Sequence, residues 1–195
     1  EWKMALTSIE HILPTTHFQR ESLEARHKVY FIFHFHGKID CQRLQHAVQA
    51  AVDNYAILRT VFIPWDESTV QITLGDATVP VEITTTDLNP VEIAGSICRE
   101  DSSAPVAPGK LHTQLRLIMG SNRDSMALRL SHAQYDGISM PRLFTDIARA
   151  YQGITLSPAK VDFPEYLHSR IYNIPSQAYK FWRDLLRGSS MTYLR

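Results

Sequence analysis

Apolar positions in this chain alternate between a period of two and a period near 3.6, and each change of period marks an element. Val29-Tyr30-Phe31-Ile32-Phe33-His34-Phe35 is aromatic and β-branched, which predicts a strand. Asp40 can cap a helix in which Leu44, Ala47, Val48, Ala51, Val52 and Tyr55 form one apolar face. Short strands are predicted over Thr60 to Ile63, Val70 to Leu74 and Val81 to Thr84, with Pro64, Asp66, Gly75 and Pro80 as the turn formers between them. Ile93 to Glu100 reads as a helix, and Ser102 to Lys110, with Pro105, Pro108 and Gly109, as a loop. Leu111 to Met119 and Ser125 to Ser131 read as a hairpin around Ser121-Asn122-Arg123-Asp124. A helix from Pro141 to Tyr151 carries Leu143, Phe144, Ile147 and Tyr151 on one side, and Gln177 to Leu186 forms the last helix. Mixed elements in this order predict a layered α+β fold, a mixed sheet packed with helices.

Candidate chemistry sits where the apolar run Met126 to Leu130 stops, in Ser131-His132-Ala133-Gln134-Tyr135-Asp136-Gly137-Ile138-Ser139. A histidine on a strand-to-helix connection is well placed for catalysis, because loops on a rigid scaffold carry much catalytic machinery. Imidazole is the usual general acid/base near neutral pH. Gly137 lacks a Cβ, so its amide could approach a substrate or an oxyanion; an ordinary turn glycine is the plainer reading. Ser139 can reach the same cavity or cap the next helix. A serine-hydrolase dyad of Ser131 and His132 is a poor reading: neighbours on a strand point to opposite faces, and no Gly-x-Ser-x-Gly elbow is present.

This stretch resembles the active-site loop His-His-x-x-x-Asp-Gly of nonribosomal peptide synthetase condensation domains, and three other stretches resemble that family in the same order. Ile9-Glu10-His11-Ile12-Leu13-Pro14-Thr15-Thr16-His17-Phe18-Gln19 is similar to the opening motif, a leucine-proline turn followed by a glutamine. Asn54 to Phe62, with Leu58-Arg59-Thr60, resembles the Arg-His-x-x-Leu-Arg-Thr-x-Phe stretch. Phe181-Trp182-Arg183-Asp184-Leu185-Leu186 resembles the run leading from the first lobe of such a domain into the second.

The resemblance implies a chloramphenicol-acetyltransferase-like fold, in which residues 1–195 form the N-terminal lobe, residues 177–195 begin the inter-lobe connection, and the C-terminal lobe is absent. It implies a catalytic role for His132, as general base or stabiliser of the tetrahedral intermediate, with Gly137 beside it. Asp136 would be a buried structural carboxylate paired with Arg59. Ser139 and Ser131 are candidate substrate contacts. Ser131 stands in place of the motif's first histidine, which is similar to the terminal, ring-closing domains of fungal synthetases. No cofactor is expected to bind directly; phosphopantetheine would arrive on the peptidyl or aminoacyl carrier domains that are the implied partners, together with the missing lobe. The isolated lobe is expected to be folded but inactive, with His132 at an exposed edge among apolar side chains.

Composition narrows the alternatives. Lys+Arg and Asp+Glu each number 20 in 195 residues, so zero net charge gives no electrostatic reason to bind nucleic acid or an anionic membrane. Cys41 and Cys98 lack CxxC spacing and read as thiols of a reducing compartment. No apolar run approaches transmembrane length and Glu1-Trp2-Lys3-Met4 is no signal peptide, so a cytoplasmic location is expected for what reads as an excised piece. His34 and His36 share a strand face, with His17, His27 and His112 elsewhere, but no carboxylate or cysteine lies at ligand spacing and no metal is expected. No glycine-rich phosphate loop is present. Two other readings remain: an acyl-CoA-dependent acyltransferase of the same fold, and a non-catalytic module that docks a carrier domain.

Overall fold

The structure, a computed structural model, describes residues 9–25, 28–102 and 104–190. The chain divides into two units, the first ending at Lys160 and the second beginning at Val161.

The first unit holds two sheets. Strands β2 (Lys28–His34), β5 (Val81–Thr85), β6 (Gln114–Met119) and β7 (Asp124–Ser131) form a mixed sheet in the order β2-β7-β6-β5, with β5 parallel to β6 and the other pairs antiparallel. Strands β1 (Ile9–Pro14), β3 (Thr60–Trp65) and β4 (Ser68–Leu74) form a separate antiparallel sheet in the order β1-β4-β3. Helices α1 (His17–Glu24), α2 (Cys41–Asn54), α3 (Pro90–Ser102) and α4 (Ser139–Tyr151) complete the unit.

Every residue of β7 is buried, as befits a strand flanked on both sides. Its period of two divides the core. Met126, Leu128 and Leu130 join Leu44, Val48 and Val52 of α2 and Leu143 and Ile147 of α4 in one cluster. The intervening Arg129 reaches Asp101 of α3, which packs against β7, β2 and β6. Burying side chains of this size is worth about 1.5–3 kcal/mol each, which makes this cluster the main source of the unit's stability.

Most predicted elements form. Asp40 caps α2, its carboxylate accepting the Arg43 amide at 3.0 Å, and the expected face of Leu44, Ala47, Val48, Ala51 and Val52 is buried. Two features differ from expectation. Pro64 lies inside β3 opposite Thr69 instead of ending it, because β3 is an edge strand and a missing N–H costs little there. The opening segment, read only as a turn and a glutamine, forms β1 and α1, with Thr16 and Gln19 making a reciprocal capping box.

The second unit contains α5 (Phe163–Tyr166), a single π-type turn over Leu167–Tyr172, and α6 (Ser176–Leu185). The Asp162 carboxylate accepts the Phe163 amide at 2.8 Å, with Pro164 in the first turn of α5. On α6 the rings of Phe181 and Trp182 meet edge to face and stay more than half exposed. Residues 191–195 of the expected inter-lobe connection lie outside the described residues. Among the described residues no helix is long and apolar enough to cross a membrane.

Candidate active site

Strand β7 ends at Ser131, and the turn that follows is held by side-chain amides. Gln134 is buried: its Oε1 accepts the Ser131 amide at 3.1 Å, and its Nε2 donates to the Ile57 carbonyl at 3.0 Å and to Thr113 Oγ1 at 3.3 Å. Gln19, equally enclosed, donates from Nε2 to the Ala133 carbonyl at 3.2 Å and exchanges amide bonds with Gln71 of β4. The glutamine of the opening stretch therefore fastens α1 to the His132 turn. In the sequence Gln19 stands out only as part of the opening stretch, and Gln134 does not stand out, because their bonds to Ala133, Gln71, Ile57 and Thr113 span long sequence separations.

His132 is partly exposed. Its Nδ1 lies 3.1 Å from the Tyr135 carbonyl oxygen. A carbonyl only accepts, so Nδ1 carries a proton, and in the neutral ring Nε2 is the nitrogen with the lone pair. The imidazole stacks on the Tyr135 ring at 4.8 Å between centroids and 4° between planes, and meets Phe18 edge-on at 5.3 Å. Apolar surface lies open nearby, with Phe18 at 54% and Ile138 at 89% exposure.

Asp136 is exposed, contrary to the expectation of a buried carboxylate. Its Oδ1 accepts the Ile138 and Ser139 amides at 3.1 and 2.8 Å, at the entrance to α4. These donors, the Ser139 amide foremost and then its hydroxyl, hold the carboxyl below the ordinary range. Ser139 Oγ donates to the Asp136 carbonyl and accepts the Asp136 amide, both at 3.0 Å, so its hydroxyl is committed to the loop. At Gly137 a Cβ would meet nothing within 4 Å, and its φ is not positive. Ser131 is buried, its Oγ accepts the Ala133 amide at 3.2 Å, and it lines a cavity of about 350 Å³ with His112, Phe62 and Leu23.

The expected ion pair between Asp136 and Arg59 does not form. Arg59 closes a 3₁₀ turn (Ala56–Arg59) and enters β3, whose register places it beside the end of β4. There its guanidinium donates to the Leu74 carbonyl and pairs with Glu10 of β1 at 2.5 Å. The Leu-Arg-Thr stretch still supports the loop, but through its backbone: the Ile57 carbonyl accepts from Gln134, and the Leu58 carbonyl accepts from Thr113 Oγ1 at 2.8 Å.

Behind the loop lies a charged cluster. Asp101 receives the Tyr30 hydroxyl, sits 3.1 Å from Lys28 Nζ and from Arg129, and lies 3.7 Å from Arg116. Burial alone would raise its carboxyl, but the hydrogen bonds from Tyr30, Lys28 and Arg129 outweigh that and bring it down to about 2. Burial, with the Arg129 and Lys28 cations adding to it, lowers the His112 imidazole to about 4. Among the described residues no three His, Cys, Asp or Glu side chains gather as a metal site; His27 lies outside them.

The condensation-domain profile matches residues 9–194. Nonribosomal peptide synthetase lenA of Aspergillus lentulus is 37% identical over 199 residues, covering all of this chain but 4% of that protein. D-lysergyl-peptide-synthetase subunit 1 of Epichloe festucae var. lolii is also 37% identical, over 198 residues and 6% of its length. Among solved structures, the crystal structure of CT superposes with a TM-score of 0.85 at 26% identity, covering 98% of this chain and 46% of that one. The starter condensation domain of rhizomide synthetase RzmA shares the fold, with a TM-score of 0.76 at 18% identity over 93% of this chain and 49% of that one. The sequence thus spans a small fraction of its curated relatives and under half of these solved structures. With the loop, its supporting glutamines and the profile match in agreement, the chain belongs to the condensation-domain family.

Proposed function

We propose that this chain is the first lobe of a condensation domain that joins two carrier-bound acyl groups in a nonribosomal peptide synthetase, with His132 as the base. The observation that carries the reading is the bond from His132 Nδ1 to the Tyr135 carbonyl, which leaves Nε2 as an acceptor at the partly exposed end of a fully buried strand. The acceptor's amine or hydroxyl attacks the donor thioester carbonyl while Nε2 takes its proton. A new C–N or C–O bond forms, the tetrahedral intermediate collapses, the C–S bond breaks, and the imidazolium returns the proton to the departing thiolate. The Gly137 amide would meet the developing oxyanion. Phosphopantetheine arms of carrier domains would bring both thioesters. A second lobe, for which the greater length of the solved relatives leaves room, would close the reaction space; Ser131 in place of the motif's first histidine favours a ring-closing release step.

The test is His132→Ala in the two-lobed protein, with transfer between the loaded carriers of the parent synthetase read in a single turnover. A drop of at least about a hundredfold, the scale of general acid–base catalysis, is expected. Near wild-type transfer would remove His132 from the mechanism.

A further inference from the structure

We propose that Phe18 and Tyr135 form an aromatic clamp that positions the His132 imidazole for transfer; the proposal rests on His132 being the base. A histidine ring pivots about a broad, roughly two-fold χ2 torsion. A single bond from Nδ1 restrains that pivot without stopping it, and half a turn would break the bond and point Nε2 elsewhere. Two rings in different orientations block the motion: Tyr135 lies parallel to the imidazole at 4.8 Å, and Phe18 stands at 85° to it at 5.3 Å.

Both jaws are anchored. The Tyr135 ring is met edge-on by Phe31 of β2 at 5.3 Å, and Phe31 in turn packs on Phe144 of α4 at 5.3 Å. Phe18 precedes Gln19, whose side chain bonds the Ala133 carbonyl, so the same turn of α1 grips the loop backbone and the imidazole. Core packing does not account for Phe18, which stays 54% exposed while its ring lies against His132. The geometry makes it a positioning residue, and Tyr135 one by its ring as well as its carbonyl. Since misplacing a reacting group by about 1 Å can cost a hundredfold in rate, loosening the ring should register in turnover.

The experiment compares Phe18→Leu, Phe18→Tyr, Tyr135→Leu and Tyr135→Phe in the two-lobed protein. Carrier-to-carrier transfer gives kcat and KM, and nitrogen NMR of histidine-labelled protein gives the His132 tautomer. Both leucine variants should lose roughly three- to tenfold in kcat, the scale of one aromatic pair, with KM within about twofold. They should also lose the single Nδ1-protonated signature, while Phe18→Tyr and Tyr135→Phe keep rate and signature. Unchanged kcat and an unchanged tautomer in both leucine variants would overturn the clamp. So would a Tyr135→Phe loss as large as that of Tyr135→Leu, which would give the work to the phenol hydroxyl. If Tyr135→Leu does not fold, Phe18→Leu decides alone, since its side chain is half in solvent. His132→Ala separates the two ideas: retained transfer in that variant sinks the base assignment, and the tautomer measurement still judges the clamp.

Discussion

Gln134 holds the reactive turn more firmly than either charged residue singled out beside it. It is buried, and its one amide group serves the Ser131 N–H, the Ile57 carbonyl and the Thr113 hydroxyl. Gln134→Ala would take the side-chain acceptor from the buried Ser131 amide, at about 1–3 kcal/mol for a stranded buried group, whereas the Ile57 carbonyl keeps the Thr60 amide and the Thr113 hydroxyl keeps the Leu58 carbonyl. We expect a loss of about 1–3 kcal/mol in urea unfolding, with transfer in the two-lobed protein reduced even where it remains folded. This residue was invisible in the sequence because it occupies a free position of the loop motif and two of its three partners lie 77 and 21 positions away. The placement of His132 was legible for the opposite reason: it depends on local order, a strand ending at an imidazole followed by a carboxylate and a glycine.

Among elements, α4 depends on Asp136 more than the loop depends on any ion pair. The Asp136 carboxylate accepts the amides of Ile138 and Ser139, which have no earlier turn of helix to receive them. Asp136→Ala should therefore cost about 1 kcal/mol, the scale of a lost cap, instead of the roughly 3–5 kcal/mol of a broken buried pair. Asp136→Asn, which keeps an accepting oxygen, should cost less, and chemical denaturation of the two variants distinguishes the cases. Arg59→Ala should loosen the end of the β1–β4 pairing, where Glu10 lies on β1 and Leu74 on β4, leaving Asp136 untouched. Helices and strands were readable here because their apolar periods are local, as the buried face of α2 shows. The partner of Arg59 was not, since it follows from β3 pairing with β4 and β4 with β1, a register no local pattern states.

At the scale of the whole molecule, the Asp101 cluster and His112 should make the fold sensitive to acid in two steps. Folded His112 stays neutral down to about pH 4, whereas in the unfolded chain an imidazole binds a proton below about 6.5. The unfolded state thus gains protons first, and stability should fall between about pH 6.5 and 4, on the order of 2–3 kcal/mol. Asp101 has the depressed carboxyl: its contribution is complete above the ordinary range near 4 and disappears as pH falls toward 2, about 2 kcal/mol more. Urea midpoints measured from pH 7 to pH 3 should show both steps, and His112→Asn should flatten the upper one. Neither group was legible beforehand, because Lys28, Tyr30, Asp101, His112 and Arg129 meet only once α3 packs across β2 and β7. The α+β class was legible, but the split into two sheets was not, since β1 lay in a stretch whose alternation is too short to signal a strand.

Gly137 offers a ruler for what passes over this surface. The lobe itself gives no reason for a missing Cβ there, as the space is open and the backbone is one that L-residues adopt. Gly137→Ala should leave the melting temperature unchanged or raise it slightly, by about 0.4–1 kcal/mol of stability, because the unfolded chain loses freedom. If transfer drops while the melting temperature of the two-lobed protein holds, the added methyl is colliding with a visitor and not with either lobe. Stepping the side chain from alanine to serine to valine then converts the fall in rate into a clearance, measured in fractions of an ångström, between the chain and whatever passes over it.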